Sequence, residues 1–441
     1  MNSKQINFHD IDPMALTQGL FGFEKEVLRV NPDGTLAVTP HPAALGNPLT
    51  HTHVTLDFSE SQIELVTSPH PSVEESLAEL DKLSRKTALA LDKEYLWPFS
   101  MPCRLPELDK IPIAKFGDSP EGKKRELYRI GLAERYGKAM QMICAIHFNF
   151  SFGANLMEKL FELQDQEPEF RRWVNECYMG VVRNVIRNQW VLTYLFGASP
   201  ELDRESYKCQ KMHKENSKAI SLRLSRCGYS NPKKIEVDYN SFDNYIGDLR
   251  RAVRTPYPEY EVYKGKQLNE NVLQLANEYY FPIRLKSSKG ETYLDGLEEN
   301  GAEYLELRIF DVNPFTHAGL TKEQAYFCHL FFLNCLLTEQ ETISEQEVEK
   351  YIDLHADLAL NGQELPDDLR EKGEDLFEEI KKIADYLGGE YKQAYDLFWE
   401  HFEKAEGQPW ALLLKDMKDR GEDFLEYGVK RAKQLHQELT T

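Results

Sequence analysis

No apolar run in this sequence approaches the ~20 residues needed to span a bilayer, so the expectation is a soluble globular protein. The amino terminus lacks a basic region followed by an apolar stretch; no secretory signal is expected, and the cytoplasm is the expected compartment. The seven cysteines, at 103, 144, 177, 209, 227, 328 and 335, form no C-x-x-C pair and no zinc spacing, and they read as reduced core thiols. Positive charge is outnumbered. A net charge of −20 repels phosphate backbones and argues against nucleic acid or an anionic membrane surface as partner. Anionic substrates would need local arginines or metals to reverse that field. No Gly/Ser-rich or Pro-rich linker, low-complexity tract or internal repeat divides the chain. One domain over 1–441 is therefore expected, with a sheet-containing core and inserted helices to residue 320 and a helical layer from 321. A phosphate loop is nearly present and fails. In Gly117-Asp-Ser-Pro-Glu-Gly-Lys-Lys124 a lysine stands where Ser or Thr should hold magnesium, and Pro120 interrupts the turn.

The stretch Gly-Leu-Phe-Gly-Phe-Glu-Lys-Glu-Val-Leu-Arg-Val at 19–30 sets two carboxylates, Glu24 and Glu26, in an otherwise apolar run. In a strand they share one face while Phe23, Lys25 and Val27 take the other. Carboxylates about 4 Å apart repel by roughly 4 kcal/mol at an effective dielectric near 20, which raises a pKa or recruits cations. A lone pair of this kind is more often an exposed edge strand with solvated acids; further acids in similar contexts shift the balance. Residues 53–67 read as extended chain, a break and a second strand, carrying Asp57 and Glu64. Ala145 to Phe152 alternates strictly, with His147, Asn149 and Ser151 on one face and Ile146, Phe148, Phe150 and Phe152 on the other. That polar face suits ligand lining or a cross-strand hydrogen-bonded ladder. Gly301 to Asn313 repeats the opening theme, with Glu306 and Arg308 sharing a face opposite Leu305, Leu307 and Ile309.

Elsewhere, Asn31-Pro-Asp-Gly34 predicts a turn closing a hairpin onto Thr35 to Thr39. Ser72 with Glu75 predicts a capping box, and Val73, Leu77, Leu80 and Leu91 share a helical face to Asp92 or beyond. A helix is expected over 125–143, long aromatic-rich helices over 155–225, and a strand over 277–286 with Tyr280 and Arg284 on one side. From Thr321, which forms a capping box with Gln324, the chain reads as helical to its end, with breaks at Gly362, Gly388-Gly389 and 407–409.

If Glu24, Glu26, Asp57, Glu64 and Glu306 converge, their hard oxygens suit two or three magnesium or manganese ions and not zinc. Arg308 and Arg223 are planar, permanently charged donors suited to clamping a phosphoryl group. Metals on antiparallel strands without a phosphate loop fit the glutamine synthetase type of site, where nucleotide and amino acid meet in a sheet-walled funnel.

The ordered run Gly22-x-Glu24-x-Glu26-x-Leu28-Arg29-Val30-Asn31-x-Asp33-Gly34-Thr35-Leu36 is followed by Leu49-Thr50-His51, Asp57-Phe58, Glu64, Trp97-Pro-x-Ser-Met-Pro-Cys103, Arg135-Tyr-Gly and His147-x-Asn-Phe-Ser151. Ser221-Leu-Arg223, Gly228-Tyr229, Pro282-Ile-Arg284, Glu303-Tyr-x-Glu-x-Arg308 and Asp311-x-Asn-Pro-Phe315 complete the set. Together, over about residues 15 to 335, they resemble the bacterial type of glutamate-cysteine ligase (γ-glutamylcysteine synthetase). The resemblance implies an α+β fold whose curved, mainly antiparallel sheet forms a funnel-shaped active site surrounded by helices. It implies that Glu24, Glu26, Asp57, Glu64 and Glu306 are magnesium ligands and that Phe58, Tyr128, Tyr229 and Tyr280 wall a cysteine pocket. Arg223 would lie near the acceptor carboxylate or the phosphoryl group, His147 and Asn149 beside glutamate and nucleotide, and Arg308 at the transferred phosphate. The implied reaction is ATP- and magnesium-dependent joining of the γ-carboxylate of glutamate to the amine of cysteine through γ-glutamyl phosphate, the first step of glutathione biosynthesis. A separate synthetase would complete glutathione. Around 407–412 the tail departs from the family's Pro-Ser-Ala type of sequence, which leaves tail contacts to the site open.

The nearest alternative is a ligase of the same superfamily with another acceptor, since one methylene in an apolar pocket is worth only ~1–3 kcal/mol. A catalytically silent protein binding ATP or amino acids has no need for so many metal ligands, and a purely structural helical scaffold explains none of the inward-facing charge.

Overall fold

The computed structural model describes residues 8–164, 169–207, 218–229 and 234–441. Its strands are β1 (Gly19–Val30), β2 (Val54–Leu56), β3 (Gln62–Val66), β4 (Tyr95–Leu96), β5 (Ile146–Phe152), β6 (Ile283–Lys286) and β7 (Tyr304–Phe310). The apolar 19–30 stretch becomes the long central strand, pairing with β3 on one side and β5 on the other. The order is β2-β3-β1-β5-β7-β6 with every pairing antiparallel, and β4 adds to the far end of β1. The core helices are α1 (Pro13–Thr17), α2 (Val73–Leu89), α3 (Pro120–Tyr136), α4 (Lys138–Gln141), α5 (Ala154–Glu162), α6 (Phe170–Phe196), α7 (Phe242–Ala252) and α8 (Tyr293–Asn300). The later ones are α9 (Lys322–Leu337), α10 (Glu345–Asn361), α11 (Asp367–Leu387), α12 (Gly389–Glu403), α13 (Pro409–Arg420) and α14 (Phe424–Thr440). This is the expected α+β architecture, an open antiparallel sheet surrounded by helices.

Alternation along the strands gives the sheet two different faces. The back is an aromatic layer. The Phe148 ring of β5 lies parallel to Phe332 of α9 at 6.1 Å, and Phe310 of β7 stacks on Phe196 of α6 at 5.2 Å. Helix α9 is apolar around its whole circumference, with Phe327, Leu330, Phe331 and Leu333 all buried, because the sheet side, α6, α11 and α12 enclose it. It starts at the expected reciprocal capping box of Thr321 and Gln324. Helix α14 lies on α2 and β4, where Gly428 lets the backbone approach the buried Trp97 ring. Arg431 Nε donates to Pro314 O at 2.7 Å and Arg85 Nη1 to Leu439 O at 3.0 Å, fixing the middle and the carboxyl end of α14.

Several local expectations are corrected. The 31–34 turn does close a hairpin, with Asn31 N donating to Thr35 O and Ala37 N to Arg29 O, but the returning segment forms bridges and not a strand, and its other edge pairs with Arg104. Ser72 does cap α2 at Glu75 N, but α2 ends at Leu89. The helix expected over 125–143 starts earlier, at Pro120, and is split at Gly137, whose φ of 80° begins a new turn. Long helix over 155–225 ends, among the described residues, at Phe196, with 165–168 and 208–217 outside them; Ile220 and Ser221 N–H donate to Ala359 O near the end of α10 in place of a helical ladder. The strand over 277–286 shrinks to β6, since Arg284 Nη2 donates to Asn277 O and Tyr279 O and curls the preceding chain. Cys103, Cys144, Cys177, Cys328 and Cys335 are buried free thiols as expected, whereas Cys227 is disulfide-bonded. Spacing carried no sign of that, because a disulfide needs spatial approach and not a sequence interval. Cys209 lies outside the described residues. Among the described residues no helix is long and apolar enough to cross a membrane.

Candidate active site

Register assembles the charges on the front of the sheet. Glu26 faces Glu64 across β1 and β3, Glu24 faces His147 across β1 and β5, and Glu306 on β7 faces Asn149 on one side and Arg284 on the other. Asp57 enters from the residue after β2, and Lys286 and Arg308 from two residues beyond Arg284 and Glu306. A cavity of about 410 Å³ opens over this row, lined by Glu24, Glu26, Asp57, Glu64, His147 and Glu306, by Arg129, Arg223, Arg284, Lys286 and Arg308, and by Tyr128, Tyr229 and Tyr280. Acids predominate toward β3 and cations toward β6.

His147 is the hub of the acidic group. Its Nδ1 lies 2.9 Å from Glu24 Oε2 and 3.8 Å from Glu306 Oε1, and its Nε2 lies 3.5 Å from Glu26 Oε1. Asn149 Nδ2 donates to Glu24 Oε1 at 2.9 Å, and Ala145 N to Glu26 Oε2 at 2.8 Å. Glu306 is ringed by cations: Arg308 Nη1 at 3.1 Å, Lys286 Nζ at 3.5 Å and Arg284 Nη1 at 3.6 Å.

The electrostatics divide along the sheet. Burial works against the Glu306 charge, yet Lys286, Arg308 and Arg284 hold its carboxyl well below the ordinary range. Burial and the neighbouring Glu306 work against the Glu24 charge, yet the His147 hydrogen bond, with the charges of His147 and Lys286, leaves that carboxyl lowered too. The other acids go the opposite way. Burial, then Glu24 and Asp57, lifts Glu64 to about 8; burial and Asp57 raise Glu26 strongly, and burial raises Asp57. Burial and Arg308 lower His147, which favours its neutral, metal-competent form.

The donors fit hard divalent ions. Ligand atoms of Glu24, His147 and Glu306 all lie within 4.8 Å of one another, and His147 Nε2 and Glu306 Oε2 are buried without a hydrogen-bond partner. A carboxylate-rich set suits magnesium or manganese.

The structure brings together most of the residues singled out in the sequence, with three qualifications. Phe58 is fully buried and lines no part of the cavity; its backbone N–H instead supports Asp57. Asn149 stands behind the lining as a support for Glu24. Arg223 lines the cavity, but its Nε donates to Asp311 at 2.7 Å, and Nη1 and Nη2 donate to Arg308 O at 3.1 and 3.2 Å. Sequence reasoning missed Arg129, whose guanidinium grips the carbonyls of Leu56 and Asp57 over the Phe116 ring, and it gave no role to Lys286. Period-two spacing from Arg284 marked Lys286; the helical position of Arg129 offered no such mark. Residues 117–124 lie off the cavity, where Ser119 caps α3 and Gly122 passes close to Phe116 O. The near-match to a phosphate loop is thus a helix start.

The glutamate-cysteine ligase family model matches residues 7–356. The chain belongs to the glutamate-cysteine ligase family. It is 41% identical to the glutamate-cysteine ligase of Clostridium acetobutylicum over 374 residues, covering 79% of this chain and 78% of that one. It is 37% identical to that of Pseudomonas aeruginosa over 450 residues, covering 95% and 85%. The crystal structure of the Francisella tularensis glutamate-cysteine ligase in complex with AMP superimposes with a TM-score of 0.89 at 30% identity, covering 96% of this chain and 89% of that one.

Proposed function

We propose that the protein catalyses ATP-dependent ligation of the γ-carboxylate of L-glutamate to the amine of L-cysteine, the first step of glutathione biosynthesis. The observation that carries it is the convergence, in a member of this family, of Glu24, Glu26, Asp57, Glu64 and Glu306 with Arg284, Lys286 and Arg308 on one cavity. A carboxylate is inert to amines at neutral pH and must be activated. The γ-carboxylate oxygen attacks the γ-phosphorus of ATP, ADP leaves, and γ-glutamyl phosphate forms. The acceptor amine then adds to the acyl carbon and phosphate departs as the amide forms.

Glu24, Glu26, Asp57, Glu64 and Glu306, with His147, are the residues that would hold magnesium or manganese, which when bound supplies neutralisation of the polyphosphate charge. Arg308 is the proposed contact to the transferred phosphoryl group. It is held in place by Glu306 through its side chain and by Arg223 through its carbonyl, so it meets developing charge without reorganising. Arg223 acts chiefly as this strut. Tyr128, Tyr229 and Tyr280 form the proposed acceptor wall, and Phe58 a layer behind the acids. His147 and Asn149 orient Glu24 beside glutamate and nucleotide. The chain is proposed to work as one catalytic unit over 1–441, its helical layer from 321 contributing no lining residue to the cavity. Cytoplasmic location, the absence of nucleic-acid or membrane partners, and completion of glutathione by a separate synthetase belong to the same reading.

The deciding experiment is phosphate release by purified protein with magnesium, ATP and glutamate, compared across cysteine, 2-aminobutyrate, alanine, glycine and no acceptor. Acceptor-dependent release most efficient with cysteine is the expected result. Higher efficiency with another amine would replace the acceptor, and no release with any amine would overturn the reaction.

A further inference from the structure

One carboxylate on the cavity wall away from the sheet has no part in the scheme above. Glu278 lines the cavity two residues before Tyr280, and its side chain, like that of Arg135, is 0% exposed. Both of its oxygens are engaged. Oε1 accepts from Arg135 Nη1 at 3.0 Å and from the Tyr136 hydroxyl, and Oε2 accepts from Gln274 N at 2.7 Å. Arg135 donates in turn through Nε to Gln267 Oε1 at 2.9 Å and through Nη2 to Asn269 O at 2.7 Å, and it lies 4.1 Å from the Tyr260 ring centre. The carboxyl end of α3 is therefore stapled to the chain between 260 and 278.

What the staple holds is the aromatic wall. Tyr128 lies on the same helix as Arg135, two turns earlier, and its carbonyl accepts from Gln274 Nε2 at 3.3 Å. Gly131 makes that approach possible, since a Cβ there would lie 2.1 Å from Gln274 Oε1. At the other end the Tyr280 ring is 5.0 Å from Tyr229, which is 6.3 Å from Tyr136. The carbonyls on either side of Glu278, those of Asn277 and Tyr279, accept from Arg284 Nη2, while Arg284 Nη1 faces Glu306 at 3.6 Å. Glu278 thus sits where the tyrosine wall meets the cationic end of the sheet. A wholly buried ion pair is an inefficient way to hold two segments together, because well-packed apolar residues do it as well or better. Fixed hydrogen-bond directions are what it adds.

We propose that Glu278 is a positioning residue of the acceptor site. Through Arg135 and Tyr136 it sets the relative placement of Tyr128, Tyr229 and Tyr280, and through the 277–279 backbone it orients Arg284 toward Glu306. The inference rests on the reading of those tyrosines as the acceptor wall.

The test is steady-state phosphate release by Glu278→Gln and Tyr136→Phe, with cysteine, glutamate and ATP each varied at saturating levels of the others. Glu278→Gln is expected to raise the cysteine KM about 10-fold, as loss of a hydrogen bond to a charged group would, with glutamate and ATP KM within about twofold. Tyr136→Phe keeps the buried charge pair and is expected to move the cysteine KM the same way by about threefold. In both variants the preference for cysteine over alanine falls. A lower melting temperature with all KM values unchanged would make the residue merely structural and overturn the proposal. If Glu278→Gln does not fold, an unchanged cysteine KM in Tyr136→Phe does the same. A raised glutamate KM with an unchanged cysteine KM would overturn the acceptor-wall reading together with the proposal. Wild-type release indifferent to cysteine would remove that reading by itself.

Discussion

Glu26 and Glu64 stand directly opposite each other on adjacent antiparallel strands, a buried and a half-buried carboxyl at a position where like charges destabilise a sheet. Burial, reinforced by Glu24 and Asp57, raises Glu64 from 4.5 to about 8. The folded protein then keeps a proton that the unfolded chain releases, so the contribution of Glu64 to stability is fully present below about 4.5 and is lost as pH rises through about 8. Metal-free protein is expected to melt lower at pH 8.5 than at pH 6. Glu64→Gln, which has no proton to lose, should narrow that difference by about 3 °C. Magnesium at pH 8.5 should restore the wild-type melting temperature and do less for the variant. A scan with chelator and with magnesium at the two pH values checks both statements; a wild-type protein more stable at pH 8.5 without metal would contradict them.

Arg308 and Glu306 share a face of β7, with the guanidinium 3.1 Å from the carboxylate and in reach of His147. Lysine keeps the charge and loses the planar fork, which is what matters at a phosphoryl group. Arg308→Lys is expected to lower kcat about 100-fold with a smaller change in the cysteine KM. Rapid-quench measurement of ADP formation should locate the loss before acyl transfer. Full ADP formation followed by slow amide formation would move Arg308 to the second step.

Glu24, Glu26, Glu64 and Glu306 were legible as an inward-facing set because strand alternation is visible in sequence: each acid interrupts an apolar pattern of period two. Their convergence was not. Neighbouring strands come from residues 24, 64, 147 and 306, and pairing across such separations is set by the whole fold. Arg223 shows the same limit from the other side. Its charge suited a phosphate clamp, but the bonds that fix it come from Asp311 and the Arg308 carbonyl, which nothing near 223 announces. Phe58 lies beside Asp57 in sequence, but the chain bends just after β2 and the ring is buried in the core. The short β6 was overread for a related reason: Arg284 bends the chain before it through bonds to backbone carbonyls, which no side-chain pattern records.

Asp311 is the carboxylate behind the site on which this strut depends. Its Oδ1 accepts from Arg223 Nε, and its Oδ2 from Ala198 N at 2.8 Å and Ser199 Oγ at 2.7 Å. Asp311→Asn leaves the buried Arg223 cation without its counter-charge, which costs about 3–5 kcal/mol. Urea denaturation should show that loss at unchanged slope. Restoring stability without restoring the Asp311 charge, by a second change Arg223→Met, should leave kcat low, since the Arg308 carbonyl has then lost its support.

Helix α14 contributes no lining residue, so its attachment should be separable from the chemistry. Gly428 packs on the fully buried Trp97 ring, and a Cβ added there would lie 2.1 Å from its Cη2 atom. Trp97 cannot give way easily, because its Nε1 donates to Met101 O at 2.8 Å and its ring meets Phe99 and Phe424 edge-on. Gly428→Ala should therefore shift α14 and not Trp97, at an overpacking cost of about 1–3 kcal/mol. The expected outcome is faster proteolytic cleavage in the 404–425 region with kcat within about twofold of wild type at 25 °C. A large fall in kcat with the tail still protected would mean that α14 reaches the site through the 313–319 loop. That route is physically continuous, since Lys25 Nζ, one residue from both Glu24 and Glu26, donates to His317 O at 2.6 Å and His317 Nε2 lies 2.9 Å from Glu438 of α14.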